Sequence, residues 1–202
     1  MKFVLKTIFT LLAFMILAVS CSGQGKSKGD TMNNKKVLVV FFSHAGDNYS
    51  VGNIKEGNTK IVVDYIKEIV PCDVFEIVAE KSYDMPYKAL TELAQKEKQS
   101  GEKPAFKGAV NNIEAYETVI IGGPIWWGTY PQVMFSFFDK YDLNGKTIAP
   151  FTTHEGSGLG STVNDLKRKY PKADVKQGFA IYGHDVRSGK DKVTAWLKSL
   201  GY

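Results

Sequence analysis

The chain has 202 residues, 44% hydrophobic and 23% charged, with a formal net charge of +5. This is an ordinary globular composition, long enough for one well-buried domain. Its lysines are scattered or paired with acids, as in Lys96-Glu97-Lys98, and no basic stripe interleaves with aromatics, so nucleic acid is excluded as the expected partner.

Met1-Lys2 and Lys6 make a basic start, and Ile8 to Val19 is an almost unbroken apolar run ending at Ser20-Cys21. The run is short for a membrane span and the residues before Cys21 are small, so residues 1–20 are read as a secretory signal peptide. Ala18-Val19-Ser20-Cys21 resembles a bacterial lipobox, in which Cys21 would become the lipidated N-terminus and tie the chain to a membrane. Ala18 stands where Leu is more usual. Residues 21–34 are rich in Gly, Ser, Lys, Asn and Gln, a tether composition that cannot bury enough surface to fold. The folded domain is expected over 35–202. Loss of Lys2 and Lys6 with the signal lowers the charge from +5 to +3. With Cys21 assigned, Cys72 has no disulfide partner, and its neighbours Val74 and Phe75 predict a small buried residue.

Beyond the tether, strands and helices alternate. Val37 to Phe42 is a continuous β-branched and aromatic run, the mark of a strand buried on both faces. Thr59 to Val70 has helical spacing, with Asn58 as its expected N-cap. Strands follow at 73–78, 118–121, 147–151 and 175–182, and helices at 87–99, 132–141, 161–170 and 190–200, with Gly201 as the last stop signal. A connecting loop is read over 101–108. Five strands alternating with five helices imply one parallel α/β sheet covered on both faces.

Ligands of such sheets bind beyond the carboxyl ends of the strands, and three loops there carry polar or aromatic residues. The first, Ser43-His44-Ala45-Gly46, leads to Asn58-Thr59 at the first helix, where N–H groups and the helix dipole suit a phosphate. Residues 47–56 interrupt it and are expected to loop out at the rim. The second, Pro124-Ile125-Trp126-Trp127-Gly128, places two indoles after a Gly-Gly-Pro strand end, read as a loop by its turn chemistry. One indole could stack on a flat ring while the other pins the loop. The third, His154-Glu155-Gly156-Ser157-Gly158, has glycines that would let the backbone approach a ligand edge and donate N–H groups. Neither G-x-G-x-x-G nor G-x-x-x-x-G-K-[ST] occurs, which disfavours dinucleotide and P-loop folds. His154-Glu155 is not H-E-x-x-H and Ser157 is not in G-x-S-x-G, so neither a zinc protease nor a serine hydrolase is expected. No Cys or clustered acid completes a metal site with His44, His154 and His184.

Taken together, Ser43-x-x-Gly46 with Gly57-Asn58-Thr59, then Gly122 to Thr129 (GGPIWWGT), then Thr153 to Gly160 (THEGSGLG), resemble the flavodoxin-like family. The likeness is greatest to bacterial flavodoxin-like proteins with PIWWG and GSGLG loops. The resemblance implies a three-layer α/β sandwich around a five-stranded parallel sheet of order 2-1-3-4-5, with FMN as cofactor. By matching position, Ser43, His44, Ala45, Gly46, Asn58 and Thr59 would surround the phosphate. Pro124, Ile125, Trp126, Trp127 and Gly128 would flank the isoalloxazine, and His154, Glu155, Gly156, Ser157 and Gly158 its far side. The family usually has a second hydroxyl where this chain has Ala45.

The implied function is an FMN-binding redox protein of the bacterial cell envelope, an electron carrier or a small reductase. A planar acceptor such as a quinone would lie over the flavin near Tyr130 or His154. Electron-shuttling flavodoxins usually carry an acidic docking face, whereas this mature chain is mildly basic. The alternative is a non-enzymatic envelope protein that keeps the fold with weakened or lost flavin binding, supported by Ala45 and the 47–56 insert.

Overall fold

A computed structural model describes residues 36–202; the expected signal peptide (1–20), the expected tether (21–34) and Cys21 lie outside the described residues. Every residue of β1 (Val37–Phe41) is buried. Leu38 and Val40 enter one core, and Val37, Val39 and Phe41 the other. A strand apolar on both faces needs cover on both sides. The first core is closed by α2 (Tyr87–Ser100), α3 (Gln132–Lys140) and Leu166 of α4 (Thr162–Lys169). The second is closed by α1 (Asn58–Ile69) and α5 (Lys190–Ser199). Between them β2 (Asp73–Glu76), β1, β3 (Thr118–Pro124), β4 (Thr147–His154) and β5 (Phe179–Tyr182) run parallel in the order 2-1-3-4-5. This is the three-layer sandwich implied by the resemblance.

The differences from the sequence reading cluster at strand ends. β3 and β4 each extend further, to Pro124 and His154. Gly122 and Gly123 belong to the strand, because their missing side chains make room. A β-carbon at Gly122 would overlap the Phe151 ring across the Gly122–Phe151 register, and one at Gly123 would stand 2.6 Å from Met134 Sδ. Gly122→Ala is therefore expected to lower stability by about 1–3 kcal/mol through overpacking. A shifted urea midpoint checks this; an unchanged one would mean that Phe151 swings aside freely.

Strand two ends at Glu76 rather than Val78, because Val78–Ala79 pairs antiparallel with Phe106–Lys107 inside the expected 101–108 loop. Strand five is interrupted. Asp174–Val175 pairs with Thr147–Ile148, then one extra residue intervenes before Phe179 meets Phe151. This bulge lies opposite Pro150, which has no N–H to donate to the ladder.

Asn58 is the first residue of α1, and Gly57 holds the N-cap position without a side-chain cap. The 47–56 insert folds as a two-stranded hairpin, Gly46–Asn48 against Gly52–Ile54. Cys72 is free and only half-buried, packed at the margin of the second core, and burial pushes its thiol up. No helix among the described residues is long and apolar enough to cross a membrane.

Candidate functional site

The carboxyl ends of β1, β3 and β4 open into a cleft of about 330 Å³. Its floor follows from packing. The hydroxyls of Thr59, at the start of α1, and Thr153, near the end of β4, are both buried and lie 2.9 Å apart. The loop after β1 is pressed onto α1 because residue 57 has no side chain: a β-carbon there would overlap Ser43 Oγ and stand 2.7 Å from the His44 carbonyl oxygen. Lys60 N–H is shared at 3.0 Å between the Gly57 carbonyl and Ser43 Oγ, which pins the loop to the first turn of the helix. The first-turn N–H groups of Asn58 and Thr59 have no intrahelical acceptor and receive no side-chain cap. In the same cleft His44 Nε2 is buried with no hydrogen-bond partner, its ring edge-on to Trp126. Burial pulls the His44 pKa down, partly offset by a hydrogen bond with the Asp47 backbone and by the charges of Asp84 and Asp47. The imidazole is thus biased neutral, in the cleft that the helix N-terminus also lines.

The two tryptophans divide the wall. Trp126 is held edge-on by Phe42, Tyr83 and His44, at centroid distances of 5.4, 5.1 and 5.9 Å. Trp127 is 46% exposed and sits at φ +52°, a conformation uncommon for a bulky residue. Its indole N–H donates to the Thr91 carbonyl at 2.9 Å, and Lys98 Nζ donates to its own carbonyl. Trp127 is therefore fixed to α2 at two points, one on its ring and one on its backbone.

The third loop is locked to the second. Ser161 N–H donates to the Gly128 carbonyl at 2.8 Å, and Asp165 Oδ2 accepts from both Thr129 Oγ1 and Ser161 Oγ. Its glycines serve turns and protein packing: Gly156 and Gly158 have positive φ, and a β-carbon at Gly160 would overlap the Gly128 carbonyl. Gly156 N–H donates to His154 Nδ1 at 3.0 Å, which places the neutral ring's proton on Nε2. Burial lowers the His154 pKa, as does nearby His184, while Glu155 raises it. Glu155 accepts from the His184 backbone N–H at 3.0 Å and meets His184 Nδ1 at 2.7 Å. Ser157 makes no hydrogen bond to His154, so no hydrolase dyad forms.

Of the expected residues, His44, Asn58, Thr59, Pro124, Ile125, Trp126, Trp127, Gly128, His154, Glu155 and Ser157 line the cleft. Ser43, Ala45, Gly46, Gly156 and Gly158 do not; they shape the loops behind it. Tyr130 is a correction. It is fully buried and its hydroxyl bridges the Ile121 and Phe151 carbonyls at 3.1 and 3.0 Å, so it cannot touch an acceptor. Sequence reasoning missed Asp47, Asn48, Tyr49 and Val51 from the hairpin and Tyr87, Leu90, Thr91 and Ala94 from α2. No local sequence signal marks these residues, since only the fold brings Tyr49 against Tyr87.

Behind Trp126, Tyr83 O–H donates to the buried Glu97 carboxylate at 3.1 Å. Burial pushes the Glu97 carboxyl up, and the Tyr83 hydrogen bond only partly opposes this. The native state then holds a proton that the unfolded chain has lost just above the ordinary value of 4.5. Stability contributed by this group falls as pH rises through that window. Glu97→Gln is expected to stabilise the protein more at pH 8 than at pH 4, measured by urea denaturation at both.

Among the described residues no cluster of His, Cys, Asp and Glu could hold a metal. A family model described as Flavodoxin matches residues 36–200. The fold is similar to a candidate flavoprotein of Bacteroides eggerthii, at 28% identity and a TM-score of 0.66, covering 84% of this chain and 99% of that one. It is equally similar, at 26% identity and a TM-score of 0.66, to a candidate flavoprotein of Bacteroides uniformis, over 81% of this chain and 98% of that one. A flavoprotein of Lactobacillus acidophilus, solved in complex with FMN, has the same fold at 21% identity and a TM-score of 0.56, over 79% of this chain and 99% of that one. No curated protein matches the sequence.

Proposed function

The chain belongs to the flavodoxin family, and from that premise we propose that it binds FMN and acts as a redox protein of the bacterial cell envelope. The observation that carries the reading is the pairing, in one cleft, of an uncapped α1 N-terminus with the fixed, exposed Trp127 ring. An anion and a flat ring joined in one molecule suit that pairing. The Asn58 and Thr59 N–H groups with His44 would hold the phosphate. Trp126 and Trp127 on one loop, with His154, Glu155 and Ser157 on the other, would border the ring. Bound FMN supplies the one- and two-electron chemistry. The protein's part is to hold Trp127 in place, keep His154 neutral with its proton on Nε2, and exclude water along the Thr59–Thr153 floor.

The test is direct. Purified full-length chain should be yellow, or should quench the fluorescence of added FMN with a one-to-one endpoint. A colourless chain that leaves FMN fluorescence unchanged overturns the reading. It would favour a non-enzymatic envelope protein, the reading that Ala45 and the 47–56 insert support in the sequence.

Location at the membrane rests on the lipobox-like run ending at Cys21. Cys21→Ala is expected to release the protein from the detergent phase on phase separation; persistence there would contradict lipid anchoring.

A further inference from the structure

We infer that the hairpin and α2 wall a second compartment of this cleft, built for a planar aromatic electron acceptor of the quinone class. The inference rests on the FMN reading above. That reading uses α1 and the two strand-end loops. It leaves Tyr49 and Val51 of the hairpin and Tyr87, Leu90 and Ala94 of α2, which line the same cleft, without a role.

Two of these side chains are expensive to leave in water. Tyr49 is 63% exposed and Tyr87 38%, their rings stacked at 6.1 Å and 29°. With Trp127, they make three of the seven exposed large hydrophobic side chains among the described residues, all on one cleft. Scattered exposure is ordinary; exposure gathered around a concavity marks a ligand surface.

The wall is also braced. The hairpin is paired at Gly46–Ile54, Asp47–Asn53 and Asn48–Gly52. Asn53 Nδ2 donates to Asp47 Oδ1 at 2.7 Å, and Asn48 Nδ2 to the Gly46 carbonyl at 3.0 Å. Tyr49 is therefore carried on a folded element. On α2, Leu90 and Ala94 are spaced four apart and add an apolar floor beside Tyr87.

This chemistry selects the occupant. Flat aromatic faces and an apolar floor take a flat ring, and none of the residues lining the compartment is a cation that would select an anionic ligand. Phenolic hydroxyls can donate to carbonyl oxygens. A quinone has both the flat ring and the carbonyls. Its conversion to hydroquinone takes up two electrons and two protons. FMN held in this cleft in its two-electron-reduced form would supply both electrons and both protons, so this half-reaction needs no further co-reactant, while an external reductant would have to reduce the flavin beforehand.

The test begins with binding, where no turnover occurs. Isothermal titration of 1,4-naphthoquinone into the oxidised, FMN-loaded full chain should show saturable binding, weakened about tenfold or more by the double substitution Tyr49→Ala/Tyr87→Ala. FMN affinity should stay within about twofold of wild type, and the Phe pair should keep quinone binding because the ring faces form the wall. In a second measurement, the photoreduced chain is reoxidised by naphthoquinone or by ferricyanide, a small hydrophilic acceptor. The Ala pair should slow the first reaction about tenfold and leave the second unchanged. Naphthoquinone that fails to bind wild type, or binds the Ala pair equally well, overturns the compartment. So does a loss of FMN affinity in the Ala pair, which would assign the tyrosines to the cofactor. A wild-type chain that takes up no FMN overturns the cofactor reading instead.

Discussion

Gly57→Ala is expected to cost FMN binding about 10- to 100-fold, or roughly 1.4–2.7 kcal/mol. The cause is steric rather than conformational. Gly57 sits at φ −67° and ψ 141°, which any residue can adopt. A β-carbon there overlaps Ser43 Oγ and reaches 2.7 Å from the His44 carbonyl oxygen and 2.9 Å from its carbon. The hydroxyl can rotate away, but the backbone carbonyl can yield only if the loop lifts off α1. Lifting breaks the bond from Lys60 N–H to Ser43 Oγ and moves His44 away from the open N–H groups of Asn58 and Thr59. Folding stability should fall as well, by about 1–3 kcal/mol. FMN fluorescence titration at several urea concentrations separates the two effects. An affinity equal to wild type would mean that the phosphate does not sit between this loop and the helix.

Trp127→Ala is expected to weaken FMN by about 30- to 100-fold, because losing roughly 100 Å² of ring contact removes about 2.5 kcal/mol. Folding stability should change far less, since the ring is 46% exposed and outside both cores. Trp127→Phe should recover part of the affinity, keeping a ring while losing the N–H bond to Thr91. The contrasting variant is Tyr130→Phe. It leaves the cleft untouched but strips the Ile121 and Phe151 carbonyls of their shared donor, costing about 1–3 kcal/mol of stability. If Trp127→Ala destabilised the fold and left FMN affinity intact, the indole would be a structural clamp for α2 and not a wall.

The contrast between these two aromatic residues shows what was legible in the sequence. The layering was readable because Val37 to Phe41 leaves no polar position in the run, so both faces must be covered, while the sheet order came with the resemblance to the flavodoxin-like family. The three loops were readable because topology places every strand's carboxyl end on one rim. What failed was the meaning of single residues whose role depends on distant partners. Gly122 looked like a turn residue and is strand, because the ring of Phe151, 29 positions away, occupies the space of its side chain. Tyr130 follows the aromatic loop in sequence yet faces inward beneath it. The hairpin and α2 wall was invisible for the same reason. Nothing local to Tyr49 announces that it stacks on Tyr87, since only the fold brings the insert over the first turn of the helix.

The contact between Gly128 and Gly160 has a consequence for anyone who would re-engineer this protein. The carbonyl of one occupies the space a side chain would need on the other, and Ser161 and Asp165 bind across the same seam. The tryptophan segment and the His-Glu segment therefore form a sterically matched pair. Transplanting one from a relative without its counterpart should misfit at the seam, whereas exchanging both together should preserve it. Position 160 should hold glycine whatever residue stands at 128, because the obstacle is a backbone carbonyl.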